Sequence, residues 1–277
     1  MSDLPFSLLM PVYFGDTAQN FERAFRSTVT EQSRRPSDVV IVQDGPVSDE
    51  LNSSIEHARA TSPVPTTRHI IRQNVGLATA LTVGLELCGH DVVARMDADD
   101  VSLPTRFERQ LPLIEQGLDL VGTGMYEFLD DVGVIVGTRI PRTDPEDIAA
   151  FARFHDPFSH PTVVYRRSAV QRAGGYQPLG QMEDYWLFAR MIYAGAAVGN
   201  VAEPLVMYRI GAGAYARRGG IEQFRSERML QRELLRIGFT TRWQHTRNIA
   251  VRGIYRFVPE SLRKALYRRF IARASER

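Results

Sequence analysis

Val92-Val93-Ala94-Arg95-Met96-Asp97-Ala98-Asp99-Asp100 is a β-type run that stops abruptly in three carboxylates within four positions. Its first half reads as a strand and its second as the loop at that strand's carboxyl end. The same form recurs upstream. Ser7–Met10 is a short apolar run closed by Pro11, and Val39–Val42 is β-branched and ends in the turn signal Asp44-Gly45-Pro46. Arg68–Arg72 reads as a further strand. Helical patterns lie between these runs. Phe21, Ala24, Phe25, Thr28 and Val29 recur at helical spacing with Asp16 as N-cap, and Leu51, Ile55 and Ala58 form another face. Ala78–Cys88 reads as a third helix, with Cys88 a small buried residue on it. A fourth opens at Pro104 and carries Phe107, Leu111 and Ile114. A β-α-β-α rhythm of this kind predicts a mainly parallel sheet with helices on both faces.

Beyond residue 120 the pattern is mixed. Leu120–Gly122, Gly133–Gly137, Thr162–Tyr165 and Leu205–Ile210 read as strands, and Glu183–Ala194 as a helix. A Gly- and Arg-rich loop follows at Gly211–Gly220. The chain then turns helical, with Leu230, Leu234 and Ile237 on one face and Gly238 as a stop. A boundary near residue 216 divides a body, 1–215, from an extension, 216–277.

Ligands of open α/β sheets bind at the carboxyl ends of the strands. Pro11-Val12-Tyr13, Asp44-Gly45-Pro46 and Asp97–Asp100 all fall there, which places them around one cleft. Three carboxylates in four residues repel one another unless a cation intervenes. A hard divalent ion that keeps waters and bridges phosphate oxygens suits them, whereas the plainer reading is a solvated loop with Asp100 capping the next helix. Neither G-x-G-x-x-G nor G-x-x-x-x-G-K-[ST] occurs, which argues against a dinucleotide oxidoreductase and a P-loop ATPase. Phosphates would then be held by metal and side chains.

The 277 residues carry a net charge of +2, unevenly spread. Residues 247–277 hold nine Arg or Lys against two Glu, a surplus of +7 that leaves −5 for the remainder. Cys88 is the single cysteine, so no intrachain disulfide forms. No apolar run is long enough to span a bilayer, and the N-terminus lacks a signal-peptide pattern. A cytoplasmic protein is expected.

The chain resembles the family 2 glycosyltransferases, which have the GT-A fold. Leu9-Met10-Pro11-Val12-Tyr13, Val40-Ile41-Val42-Gln43-Asp44-Gly45, Asn74-Val75-Gly76-Leu77-Ala78 and Met96-Asp97-Ala98-Asp99-Asp100 carry the likeness. So do His160-Pro161-Thr162, Met182-Glu183-Asp184-Tyr185-Trp186-Leu187 and Pro204-Leu205-Val206-Met207-Tyr208-Arg209. Each motif alone is weak; their order and spacing agree over roughly residues 6–215. The loop at 215–220 and the basic tail further resemble bacterial amylovoran-type transferases that build exopolysaccharide.

The resemblance implies an α/β, Rossmann-like GT-A domain with a C-terminal helical extension. Pro11, Val12 and Tyr13 would line the nucleobase pocket, and Asp44 would hydrogen-bond the base, usually uracil. Asn74 and Gly76 would belong to the nucleotide site. Asp97 would contact the ribose or the metal's waters, and Asp99 would bind Mn²⁺ or Mg²⁺ against the diphosphate. Asp184 would be the general base of an inverting transfer to a glycan or lipid-linked acceptor. Glu183 either positions Asp184 or the acceptor, or sits in a helix's first turn, where negative charge is favourable. Trp186 reads as a packing residue or as an aromatic wall under a sugar, and His160 as a structural residue at a strand start or as one that reaches the site.

Two departures stand out. Many relatives have a histidine two residues after the Tyr-Arg pair, where this chain has Gly211, so the third protein ligand of the metal is open. Arg217 and Arg218 either clamp the diphosphate or form an exposed basic loop. A Q-x-x-R-W motif is also absent, which favours transfer of a single sugar over processive synthesis. The basic tail suits an anionic membrane surface at the inner face of the plasma membrane. A helix packed on the body or a dimer contact are its other readings; nucleic acid is not expected. Two other functions compete: a sugar nucleotidyltransferase, which lacks its expected glycine-rich loop here, and a non-catalytic nucleotide-sugar-binding subunit.

Overall fold

The computed structural model describes residues 4–129, 133–210 and 221–257. Four strands form its parallel half: β1 (Phe6–Tyr13), β2 (Asp38–Asp44), β3 (Thr66–Ile71) and β4 (Val92–Arg95). They lie in the order β3-β2-β1-β4, every neighbouring pair parallel. The chain steps outward one way from β1 through β2 to β3, then returns to the other side of β1 as β4. The carboxyl ends of β1 and β4 therefore flank a topological switch point, where α/β sheets open a crevice.

The remaining strands give a mixed half: β5 (Val101–Ser102), β6 (Leu120–Phe128), β7 (Ile135–Arg139), β8 (Val164–Arg166) and β9 (Val198–Arg209). They continue the sheet from β4 in the order β8-β6-β9-β5, with β7 beside β6. β8 runs antiparallel to both β4 and β6, whereas β9 runs parallel to β6.

Helices cover both faces. On one lie α1 (Ala18–Phe25), α2 (Asp49–Thr61) and α4 (Arg106–Glu115); on the other lie α3 (Leu77–Leu87), α5 (Pro145–Phe151), α6 (Arg167–Arg172) and α7 (Glu183–Tyr193). The two-residue period of β1 sorts its side chains between them. Phe6, Leu8, Met10 and Val12 meet Phe21, Leu51, Ile55, Phe107 and Leu111, while Leu9 meets Ala80, Leu81 and Leu85. Burial on both faces explains why these strands read as unbroken apolar runs. α3 sits especially close to the sheet. A Cβ on Gly84 would lie 2.3 Å from Leu9 Cδ1 and 2.8 Å from Val42 Cγ2.

After α7 come α8 (Ile221–Arg236) and α9 (Arg242–Phe257). Leu230, Leu234 and Phe239 pack against Met182, Tyr185, Trp186 and Ala189, so α8 shares a core with the far side of α7. Gly238 ends this segment in the left-handed region, φ 79°. The boundary expected near residue 216 lies outside the described residues.

Several expected boundaries shift. Asp16 does not cap α1. Thr17 does, its hydroxyl accepting from Asn20 N, while Asp16 accepts from Tyr13 N at 2.9 Å. Pro11 does not close β1 but lies inside it. The Leu9 carbonyl faces β4, accepting from Met96 N, and a period of two puts the amide-less Pro11 nitrogen on that same side, past the end of β4. Pro104 precedes α4, whose N-cap is Thr105. Thr162 belongs to a 3₁₀ turn rather than to β8, β7 starts at Ile135 rather than Gly133, and β9 starts at Val198. Cys88 is buried just past the end of α3.

Candidate active site

A cavity of about 500 Å³ opens at the carboxyl ends of β1, β2 and β4. Pro11, Val12, Tyr13, Asp44, Asn74, Gly76, Asp97 and Asp99 all line it. The structure thus brings together every described residue that the sequence assigned to nucleotide or metal. Arg217 and Arg218 lie outside the described residues.

The wall at β2 is held by Asp44. Its Oδ1 accepts from Val75 N at 2.7 Å, and its Oδ2 accepts from Gly76 N at 2.9 Å and Asn74 Nδ2 at 3.0 Å. Gly76 is the N-cap of α3 and offers no side chain; Asp44, at the end of β2, takes its amide and that of the preceding Val75 where the helix begins. A carboxylate has about four acceptor positions, so roughly one remains for a ligand. Gly45 turns away at φ 88°, where a Cβ would come within 2.8 Å of Asn74 N. The loop's close approach therefore requires glycine.

Three residues of the turn after β4 line the cavity, Asp97 and Asp99 half-buried and Ala98 buried, whereas Asp100 is buried and does not line it. Asp100 Oδ1 accepts from Arg209 N at 2.8 Å, which ties the turn to the end of β9; its Oδ2 is buried without a hydrogen-bond partner among the described residues. Burial, reinforced by the charges of Asp99 and Asp97, raises the Asp100 pKa well above the ordinary carboxylate range. Arg209 also donates from Nε to the Asp99 carbonyl at 3.0 Å and lies over the Phe128 ring.

Beneath the turn lie two buried guanidinium groups. Arg95 is 1% exposed and donates to both oxygens of Asp97, the Nη1–Oδ2 contact being 2.6 Å. Arg106 is fully buried and donates to the Arg95 carbonyl at 2.7 Å. It also donates from Nε to Gln110 Oε1, while Gln110 donates to the carbonyls of Val121 and Thr162. Burial, and then the neighbouring Arg95 charge, pushes Arg106 down to about 9. The acid turn is therefore fixed from below by side chains whose own hydrogen bonds reach three strands or turns.

Negative charge is crowded at the mouth. Burial, with Asp97 adding to it, pushes Asp99 up to about 6. Asp16 lines the same cavity and is pushed up to about 7 by burial, with contributions from Asp99 and Asp97. Among the described residues no three His, Cys, Asp or Glu side chains close into a ready-made metal cage. Asp97 and Asp99, both half-buried on the cavity, nonetheless fit a hard cation completed by water and phosphate oxygens.

Asp184 and Glu183 open α7 and do not line this cavity. Asp184 Oδ1 accepts from Tyr185 N at 2.7 Å, and its Oδ2 lies 3.9 Å from His160 Nδ1. Burial raises the Asp184 pKa, and Arg95 pulls the other way. Burial and the Asp184 charge push Glu183 up to about 7, and its Oε2 is buried without a hydrogen-bond partner among the described residues. Arg95 acts on both, and Asp97 is close enough to be felt at both, so the base side and the nucleotide side share one electrostatic centre. His160 is buried against Tyr176, Nε2 to Oη 2.8 Å. Trp186 is 2% exposed in the α7–α8 core and donates to Gln177 Oε1, as a packing residue would.

Sequence reasoning gave no role in the site to Arg95, Asp16, Arg106 or Arg209; Asp16 was read as a helix cap. Arg95 had a signal: a lone cation inside an otherwise apolar strand must have a buried partner. Arg209 had one in the Tyr208-Arg209 pair. Asp16 had none, because only the turn that closes Tyr13 onto Asp16 aims it at the cleft.

The "Glycosyl transferase family 2" model matches residues 7–174. The amylovoran biosynthesis glycosyltransferase AmsE of Erwinia amylovora is 35% identical over 95% of this chain and 97% of its own. A UDP-Gal:alpha-D-GlcNAc-diphosphoundecaprenol beta-1,3-galactosyltransferase of Escherichia coli is 31% identical over 97% of each chain. Among solved structures, residues 1–349 of S. aureus TarS in complex with UDP-GlcNAc superpose with a TM-score of 0.64 at 15% identity, covering 98% of this chain and 74% of that one. This last likeness shows the GT-A fold.

Proposed function

The chain belongs to glycosyl transferase family 2, and from that premise we propose that it moves one sugar, with inversion, from a UDP-sugar to a hydroxyl of a lipid-linked or glycan acceptor. Membership of a family that transfers glycosyl groups argues against the nucleotidyltransferase reading. The observation that carries the proposal is the convergence of Asp97, Asp99, Asp44, Asn74 and residues 11–13 on one cavity at the switch point.

In this reading Pro11, Val12 and Tyr13 form the floor for the base, and the remaining acceptor position of Asp44 takes a base N–H. Asp97, fixed by Arg95, and Asp99 would hold Mn²⁺ or Mg²⁺. When bound, such an ion offsets the charge developing on the departing diphosphate. Asp184 takes the proton of the acceptor hydroxyl; its raised pKa suits it to do so near neutral pH. Attack from the side opposite the leaving group inverts the anomeric carbon, so a single carboxylate suffices, unlike retaining hydrolysis.

The names of the relatives support an acceptor carried on a prenyl diphosphate and a place in exopolysaccharide or O-antigen-type synthesis. No described helix is long and apolar enough to cross a membrane. Docking of the basic segment 247–277 on the anionic inner face of the plasma membrane completes the proposal. On α9 Trp243 is 69% exposed, as an interfacial aromatic would be. Calorimetric titration of UDP with and without Mn²⁺, on wild type and Asp99→Ala, tests the donor site. Metal-dependent binding lost in the variant is expected; metal-independent binding equal in both proteins would overturn it.

A further inference from the structure

On the Asp184 side of the molecule, three guanidinium groups converge around one imidazole. Arg142 lies over the Phe151 ring at 4.9 Å, and the His155 ring stacks on the same Phe151, also at 4.9 Å. Arg247 of α9 lies over Phe154 at 4.8 Å. Arg252, one turn further along α9, donates to the Phe154 carbonyl at 2.6 Å and to Glu227 Oε1 at 2.9 Å. Burial and the charges of Arg252, Arg247 and Arg142 push His155 down to about 4, as expected if all three cations face it.

Two of these cations have little to neutralise them among the described residues. The carboxylate paired with Arg142 is Asp147, at 3.9 Å and itself exposed. Arg247 donates to Asn248 Oδ1 at 3.3 Å. Both are exposed, so their forks are available to a ligand. Arg252 is committed to Glu227 and fixes α9 against the 151–156 segment.

The cluster borders the candidate base. Asp156 follows His155 directly, and it feels both the Asp184 charge on one side and the Arg252 charge on the other. Apolar surface adjoins the cations in sequence: Ile140 beside Arg142 and Val251 beside Arg252 are each about half exposed, at 47% and 51%.

We propose that Arg142 and Arg247, seated on Phe151 and Phe154, bind the diphosphate of a prenyl-diphosphate-linked acceptor and so present its sugar to Asp184. Guanidinium forks match phosphate oxygens bidentately, and stacking on rings fixes their direction. This placement rests on the glycosyltransferase reading and deepens it. Neither arginine lines the donor cavity, so this site is separate from it. The placement also gives α9 a role within the site, since Arg247 is the extension's contribution.

Geranyl diphosphate is the soluble probe, titrated into full-length protein saturated with UDP and Mn²⁺ so that the donor cleft is filled. Binding to wild type is expected to weaken roughly tenfold to a hundredfold in Arg142→Ala/Arg247→Ala, the range for losing hydrogen bonds to a charged group. UDP affinity and the melting temperature stay unchanged, since both side chains are exposed. Equal geranyl diphosphate affinity in the two proteins, or no binding to wild type, overturns the proposal. So does inorganic diphosphate binding as tightly as the geranyl ester, which would mark an unspecific anion face. Binding to phosphatidylglycerol vesicles that depends on the two arginines, without binding of the soluble ester, would assign the face to the membrane and also overturn it. Failure of UDP to bind strikes the donor reading instead, and is read from its own titration.

Discussion

Replacing Arg95 by Met removes a 1%-exposed guanidinium that contacts both oxygens of Asp97. Breaking a fully buried ion pair costs about 3–5 kcal/mol, because the partner is left charged without compensation. Asp97 keeps 27% of its side chain exposed, so water takes part in its solvation and the expected loss falls to about 2–3 kcal/mol. A smaller gain opposes it, since Arg106 no longer faces a second buried cation. Urea unfolding at pH 7 of wild type, Arg95→Met, Asp97→Asn and the double variant closes the cycle. The two single losses are expected to overlap, with a coupling of about 2 kcal/mol, so that the double variant is little worse than Arg95→Met alone. Arg95→Lys recovers little, because one ammonium cannot span both carboxylate oxygens. Additive losses, with a coupling under about 0.5 kcal/mol, would show that the pair does not hold the acid turn.

Gly84→Ala tests how closely α3 is seated. Its Cβ would meet Leu9 Cδ1 at 2.3 Å, so a loss of about 1–3 kcal/mol is expected by urea unfolding; a neutral or stabilising change would mean that α3 can shift. The crowded carboxylates make the metal-free protein sensitive to pH. Asp99 and Asp16 have folded pKa values raised to about 6 and 7, so their stabilising contribution is full below about pH 4 and is lost as pH rises through those values. Mn²⁺ is therefore expected to raise the melting temperature strongly at pH 8 and little at pH 5. An equal rise at both would contradict displacement of protons by the ion.

Much of this was legible in the chain. The apolar runs at 7–10, 39–42 and 92–96 gave the parallel half because strands covered on both faces need no alternation, and turn residues at their ends marked the cleft. The three carboxylates at 97, 99 and 100 read as one cluster in the sequence; that Asp97 and Asp99 line the cavity while Asp100 is buried away from it appears only in the fold. What stayed hidden depends on non-local pairing. That Asp44 spends three acceptor positions on the Asn74–Gly76 loop follows from β2 and α3 meeting, not from either segment. Asp16 read as a helix cap because Asp and Thr both favour that position, and Thr17 took it. β9 read as a six-residue strand because Ala202-Glu203-Pro204 interrupts its apolar pattern. The register along β6 shifts there, between Thr123 and Met125, and accommodates them.

Asp184→Asn is the most direct test of the account. Transfer from a UDP-sugar and donor binding would be measured on the same protein, with wild type alongside. Turnover should fall by about a hundredfold or more, as for loss of a general base, while UDP-sugar affinity stays within a few-fold of wild type. Donor affinity falling in step with turnover, or turnover surviving the substitution, would contradict Asp184 as the group that takes the acceptor's proton.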